Sequence, residues 1–507
     1  MKRQVMLIVC TIFVTSCAVK EMVKVKTVQE VKQIGGVETN LSVSGIAPFF
    51  AMGADVGWLS KMEAQGQVFY NKLGVQEDCL QILKEEGINS IRLRAWVNPA
   101  DGFCGTPDIV RMAVRAKNMG FHLLIDFHYS DSWADPGTQT KPAAWKNHSF
   151  PVLLNDVYNY TYHVIDTLKK NGVTPDWVET GNEISNGMLW PDGSTNNFSQ
   201  LAQLINKGYA AVKAVNPEIK VIVHLDKGDN NGFYVSFFNN LTTYGGNFDI
   251  IGMSCYPYWS NTTFSAYDPL LTSNMNDMVR RYGKPVIIAE IGNDSTKPQE
   301  TYYGVNDVIN RVSRVGNAQG LGVFYWEPEG YFSWSGYQLS CWDNTTKRPT
   351  LGMDAFLYNP ANNLMSNQDF EAAGAQSGTI TNWTLWSNNN YDAIYTESGG
   401  YTGYYRLTHW KSTAYQASTF QNFTNITNGT YKLTAWVLNG GGQKTCQLYA
   451  KNFGNTEIDA PLPVTNSWTQ IVIDNIQVTN NSLEVGLWSD ANAGNWCSMD
   501  NVYLQKK

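Results

Sequence analysis

Glu183 and Glu290 are the residues best placed to do chemistry in this chain. Each closes a short run that reads as a β-strand, 177–183 in one case and 285–290 in the other. Two carboxylates on opposite sides of a cleft can divide the cleavage of a glycosidic bond. One is protonated and gives its proton to the departing oxygen; the other is ionised and attacks the anomeric carbon. A lone glutamate at a strand end is more often a solvated side chain, so the neighbours matter. Arg92 and Arg94 alternate onto one face of the run 88–96. Asp126 and His128 close the run 121–128, and Asp131 and Trp133 follow. Asn182 precedes Glu183, and His224, Asp226, Tyr256 and Trp326 close three further runs. Polar and aromatic residues at so many successive strand ends describe a site rather than scatter.

The elements that must position these residues alternate. Helical stretches are expected at 76–86, 108–119, 155–170, 198–215, 275–282 and 305–318. With the runs 50–55, 219–226, 249–256 and 321–326, the strands number eight. Strand–helix alternation builds parallel βαβ units, and eight of them over residues 44–360 predict an α/β fold, a closed (β/α)8 barrel. The C-terminal ends of barrel strands then line one mouth, which gathers the residues named above. No glycine-rich phosphate loop favours a nucleotide-binding sheet. From 361 to 507 the pattern changes to short strands separated by Asn, Gly, Ser and Thr, as in 429–437 and 483–488, which predicts an all-β sandwich.

Charged residues make up 16 % of the chain and aromatic residues 13 %, with 17 Trp and 27 Tyr. That composition excludes a disordered chain, a collagen and a coiled coil. A net charge of −7 speaks against nucleic acid as a partner. The start of the chain reads as an address: Lys2 and Arg3, the apolar run 5–14, then Cys17 behind small residues. This layout resembles a bacterial lipoprotein signal, which implies cleavage after residue 16, lipidation of Cys17, a tether to residue 43 and a place in the cell envelope, on the outer membrane. Membrane contact would then come through the lipid alone. Of the cysteines beyond Cys17, Cys446 and Cys497 fall together in the C-terminal module and are the expected pair, although connectivity is not readable from spacing. No Cys-x-x-Cys or His-x-x-x-His spacing points to a metal, and neither metal nor other cofactor is expected.

Longer strings narrow the reading. The segments 53–56, 91–99, 126–136, 181–184 with 187–191, 224–226 and 324–328 resemble glycoside hydrolase family 53, the endo-β-1,4-galactanases of clan A. The most specific is Asp126-Phe127-His128-Tyr129-Ser130-Asp131-Ser132-Trp133-Ala134-Asp135-Pro136. The resemblance implies retaining endo-hydrolysis of β-1,4-galactan or type I arabinogalactan, with Glu183 as acid/base and Glu290 as nucleophile. It further implies that Arg92 and Tyr256 hold Glu290 ionised, that Asn182 binds the sugar at the cleavage point, and that Asp126, His128, Asp131, Trp133, His224, Asp226 and Trp326 serve the substrate site. Some bacterial members carry an acidic calcium loop after strand seven; here 291–298 has only Asp294, so no calcium is expected there.

The C-terminal module resembles the jelly-roll, galactan-binding carbohydrate-binding modules of family 61. Trp386, Trp410 and Asn439 are its candidate sugar contacts. A monomer of barrel plus sandwich suffices for all of this. Three other readings stay open at this point: another clan A activity such as a mannanase or β-galactosidase, a non-catalytic glycan-binding surface lipoprotein, and a sandwich that only spaces.

Overall fold

The computed structural model describes residues 49–401 and 404–507. The expected signal 1–16, Cys17 and the tether to 43 lie outside the described residues. Eight parallel strands close into a barrel: β1 (Ala51–Asp55), β2 (Ser90–Ala95), β3 (His122–Phe127), β4 (Trp177–Thr180), β5 (Lys220–Leu225), β6 (Ile250–Cys255), β7 (Val286–Ile291) and β8 (Gly320–Trp326). Each pairs with its sequence neighbours, and β1 closes the ring on β8. Helices α1 (Leu59–Ala64), α2 (Cys79–Glu85), α3 (Thr106–Asn118), α4 (Phe150–Lys170), α5 (Phe198–Val215), α6 (Asn231–Thr243), α7 (Phe264–Tyr282) and α8 (Pro298–Ser313) fill the crossovers.

Local chemistry moves several helix starts from the sequence expectation. The helix expected from residue 76 begins at Cys79 because the Asp78 carboxylate caps it, accepting from the Leu80 N–H at 2.8 Å. The helix expected at 275–282 extends back to Phe264, carrying Pro269 inside it, a residue that reads as a breaker. The helix expected from 305 starts at Pro298, which suits a first turn because it has no N–H to leave unpaired.

Inside the barrel the side chains stack in layers. Ala51, Leu124, Trp177, Ile222, Ile250, Ile287 and Phe324 form an apolar floor. Phe324 fits because Gly53 faces it; a Cβ there would stand 2.1 Å from its ring. Two residues further along the strands, Asp126 follows Leu124, Glu179 follows Trp177 and His224 follows Ile222, so a charged layer lies on that floor. A larger core lies between the strands and the helix ring.

The C-terminal part is a sandwich of two five-stranded antiparallel sheets over a single apolar core. Its strands are β9 (Thr384–Ser387), β10 (Ile394–Ser398), β11 (Tyr405–Trp410), β12 (Tyr415–Thr424), β13 (Gly429–Asn439), β14 (Thr445–Lys451), β15 (Ile458–Pro461), β16 (Thr465–Val478), β17 (Ser482–Ala491) and β18 (Trp496–Lys506). One sheet runs β9-β12-β17-β14-β15 and the other β10-β11-β18-β13-β16. The second sheet packs on α8: Asn501 donates to Asn306 at 3.1 Å, and Tyr302 lies against Trp436, whose ring stacks on Tyr401 at 4.0 Å. Cys446 on β14 and Cys497 on β18 face the same core, but as free thiols rather than the expected disulfide.

Candidate active site

Arg92 is the hub of the charged layer. It sits on β2, is fully buried, and spreads its guanidinium among five partners. Nε and Nη2 grip both oxygens of Glu179 at 3.0 and 2.8 Å. Nη1 donates to Asp55 at 2.7 Å and to Glu290 Oε1 at 2.9 Å. Nη2 also donates to Asn182 Oδ1 at 2.9 Å and lies 3.1 Å from Asp126. The planar fork of arginine can serve several carboxylates at once, which a lysine could not. So many anions hold its charge firmly against burial.

Glu290 ends β7 with both oxygens engaged, Oε1 by Arg92 and Oε2 by the Tyr256 hydroxyl at 2.9 Å. Burial holds its pKa above the ordinary glutamate value, and the adjacent guanidinium works against that rise. Glu183 stands just past β4 in a left-handed backbone conformation, φ 43°, which costs a non-glycine residue about 1–3 kcal/mol. Its Oε1 accepts from the Ser254 hydroxyl at 2.5 Å. Burial and the neighbouring Glu290 push its pKa well above the ordinary glutamate value. The two carboxyls therefore differ in kind: Glu183 favours its acid form, while Glu290 has a cation and a phenol to support its anion.

Both open into one cleft of about 580 Å³ at the C-terminal mouth of the barrel. Asn182, His128, Trp133, Asp226, Tyr256 and Trp326 line it. Asn182 is fixed at both ends, by Arg92 and by its own donation to the Ala134 carbonyl at 2.8 Å. Trp58, Trp133, Trp326 and Tyr337 make an aromatic wall, with Arg94 beneath the Trp133 ring at 4.4 Å. Arg94 in turn pairs with Glu327 at 2.5 Å.

Four of the expected site residues lie elsewhere than on the cleft wall. His224 is fully buried beneath the mouth, its ring held between Glu179 and Ser254, so it lines no subsite. Asp126 is equally buried and bonded to Arg92 and His128. Arg92 itself faces carboxylates rather than the cleft. Asp131 staples a loop, accepting from the Asn98 and Ala143 N–H groups at 3.0 and 2.8 Å. In the sandwich, Asn439 is buried and bonds the Gly441 N–H and Gln443, away from any surface pocket. Trp386 and Trp410 are exposed in separate surface pockets. Sequence reasoning missed Asp55, Glu179 and Ser254 as site members, along with Trp58, Tyr337 and Trp259 on the cleft wall. Glu179 left one mark in the sequence: it is a charged residue inside the short strand Trp177–Thr180, two positions before Gly181.

With this geometry in hand, the comparisons with known proteins are decisive. The model of glycosyl hydrolase family 53 matches residues 51–390, more than half of the chain. The chain belongs to that family. An arabinogalactan endo-β-1,4-galactanase of Humicola insolens is 37 % identical over 318 residues, covering 58 % of this chain and 94 % of that one. Among solved structures, the family 53 catalytic domain of Ignisphaera aggregans is 34 % identical with a TM-score of 0.57, over 62 % of this chain and 96 % of the other. A fungal β-1,4-galactanase is 30 % identical with a TM-score of 0.56, over 60 % and 98 %. Family 53 membership makes the protein a glycoside hydrolase. The family match ends at residue 390, so most of the sandwich stands outside it.

His128 gives the site a pH signature in stability. Its Nδ1 accepts from the Ala134 N–H at 3.0 Å and the Trp96 indole at 3.3 Å, so the ring proton sits on Nε2 and goes to Asp126 at 2.9 Å. Burial, with Arg94 and Arg92 nearby, lowers its pKa from 6.5 to about 3. The unfolded chain therefore binds the extra proton first, and stability falls as pH drops through that window. Urea unfolding between pH 6.5 and 4 should show His128→Gln losing stability more slowly than wild type, by up to about 1.4 kcal/mol per pH unit. Equal slopes would contradict the neutral, buried assignment.

Proposed function

We propose that the protein cleaves internal β-1,4-galactosidic bonds of galactan or type I arabinogalactan by double displacement with net retention. Glu290 attacks the anomeric carbon while Glu183 protonates the departing oxygen; Glu183 then takes a proton from the water that releases the sugar. The observation that carries the reading is the contrast between the two carboxyls. They share one cleft, yet Glu290 is held by Arg92 and Tyr256 while Glu183 is half-buried beside a like charge. The aromatic wall of Trp58, Trp133 and Trp326 suits the C–H faces of a pyranose chain, and the open cleft suits an internal stretch of polymer. The galactanase relatives support galactose as the sugar.

The sandwich is proposed as a galactan-holding module. On one sheet, Trp386 is 43 % exposed and lies 5.5 Å from Trp488, above a pocket of about 430 Å³ whose floor holds Tyr449 and Glu484. On the other sheet, Trp410 is 42 % exposed beside Trp496 and Tyr395, with Glu397 and Arg406 adjacent. Each pairs an exposed ring with a few polar groups, the usual make-up of a shallow sugar site.

Reducing-end release should be measured on β-1,4-galactan beside arabinan, mannan and cellulose. Mixed galacto-oligosaccharides from galactan alone, lost in Glu290→Gln, are the expected result. Release from mannan instead would move the protein to another clan A activity, and no release at all would favour a glycan-binding role. For the module, affinity electrophoresis in galactan gels should show Trp386→Ala and Trp410→Ala each relieving part of the retardation and the double variant relieving more than either. Unchanged mobility in the double variant would make the sandwich a spacer.

A further inference from the structure

Ser254 lies on β6, buried, one turn of the pleat before Tyr256. Its hydroxyl oxygen stands 2.5 Å from Glu183 Oε1 and 2.9 Å from His224 Nε2. The other ring nitrogen of His224 is 3.0 Å from Glu179 Oε2. Glu179 is clasped by Arg92, and Arg92 holds Glu290. A continuous path of side chains, Glu183–Ser254–His224–Glu179–Arg92–Glu290, therefore links the two carboxyls beneath the cleft. Five strands supply it, and its inner members are sealed from water.

The path has a direction. Glu179, with Arg92 on both oxygens, is a carboxylate and can only accept, so His224 Nδ1 must donate to it. The groups facing His224 are Glu179, Glu290, Asp126 and Arg92, three carboxylates and the guanidinium they share. With the Ser254 hydroxyl donating to Glu183 Oε1, the Ser254 oxygen is the acceptor and Nε2 the donor, and Glu179 raises the pKa of the ring against burial. Nε2–H then donates to Ser254 Oγ, and the single hydroxyl proton of Ser254 is left for Glu183 Oε1. Glu183 Oε2 accepts no hydrogen bond among the described residues, and Glu183 lines the cleft.

We propose that Ser254, oriented by His224 and Glu179, is the positioning residue that decides which oxygen of Glu183 carries the catalytic proton. With Oε1 occupied as an acceptor, the acid form places its proton on Oε2, toward the leaving oxygen. Once that proton is given up, the same hydroxyl steadies the carboxylate that must act as base. No covalent bond to Ser254 or His224 forms or breaks, and no proton is transferred along the path. The charged and titratable groups facing Glu183 are Glu290, Asp226, Arg92, Tyr234 and Tyr256, and none of them donates to its oxygens among the described residues.

The proposal rests on Glu183 as the acid/base, and the test separates the two. The full chain is assayed on two β-galactobiosides: one of phenol, a poor leaving group that needs a proton, and one of 2,4-dinitrophenol, which departs without one. For Ser254→Ala, the glycosylation rate on the phenyl substrate should fall about ten- to a hundredfold, and the burst rate on the dinitrophenyl substrate less than about threefold. Ser254→Cys, of similar volume with a weaker donor, should fall between wild type and Ser254→Ala on the phenyl substrate, and it supplies the comparison if the alanine variant does not fold. Equal losses on both substrates, or no loss on the phenyl one, would overturn the positioning role. Glu183→Ala should show the same leaving-group split in larger measure; if it does not, the acid/base reading fails rather than the Ser254 assignment.

Discussion

The structure depends on one buried guanidinium. Arg92 sits on the apolar floor of the barrel and answers to Asp55, Asp126, Glu179, Glu290 and Asn182 at 2.7–3.1 Å. Charges so deep are costly to desolvate, and such a cluster holds only when every member has a partner. That demand fixes the inward residue of several strands at one level and so fixes the register of the charged layer. It also shields the layer from below, since the floor under it is made of Leu124, Trp177, Ile222 and Phe324.

Division of labour between the two glutamates follows from that arrangement. One guanidinium cannot neutralise every carboxyl around it. Glu290 lies inside its reach and Glu183 lies outside, with the Ser254 hydroxyl the one side-chain donor to its carboxyl among the described residues. Arg92 therefore favours negative charge on Glu290 against the burial that opposes it, and that charge raises the pKa of Glu183. Asn182 ties the two regions together: its side chain is bound to Arg92, and its backbone leads into the left-handed turn that aims Glu183 at the cleft. The strain of that turn is offset by the bonds on either side of it.

Much of this could be read from the sequence. Alternation of helix and strand gave the barrel, and the strand ends gave Glu183, Glu290, Asn182, Tyr256, Trp133 and Trp326, because barrel geometry brings strand ends together. What could not be read was depth. His224, Asp126 and Arg92 occupy the same faces as the cleft residues, and only the layering shows that they lie one level below. Ser254 and Glu179 carried no motif; their importance comes from what stands beside them in space, on neighbouring strands far apart in the chain. Asp131 and Asn439 meet backbone groups for a related reason, since short polar side chains near loops often satisfy nearby N–H groups. The sandwich offered less to the reader still, because its rings serve core, interface and surface alike: Trp436 packs on the barrel helix while Trp386 and Trp410 face outward.

On the proposed mechanism, Arg92 makes Glu290 the nucleophile. That role is tested most directly by trapping the glycosyl-enzyme with an activated 2-deoxy-2-fluoro-β-galactobioside and mapping the modified peptide by mass spectrometry. The account predicts one sugar per chain, in ester linkage to Glu290, formed in wild type and lost in Glu290→Gln. A label on Glu183, or steady hydrolysis of galactan by a wild type that never becomes labelled and that yields inverted product, would contradict it.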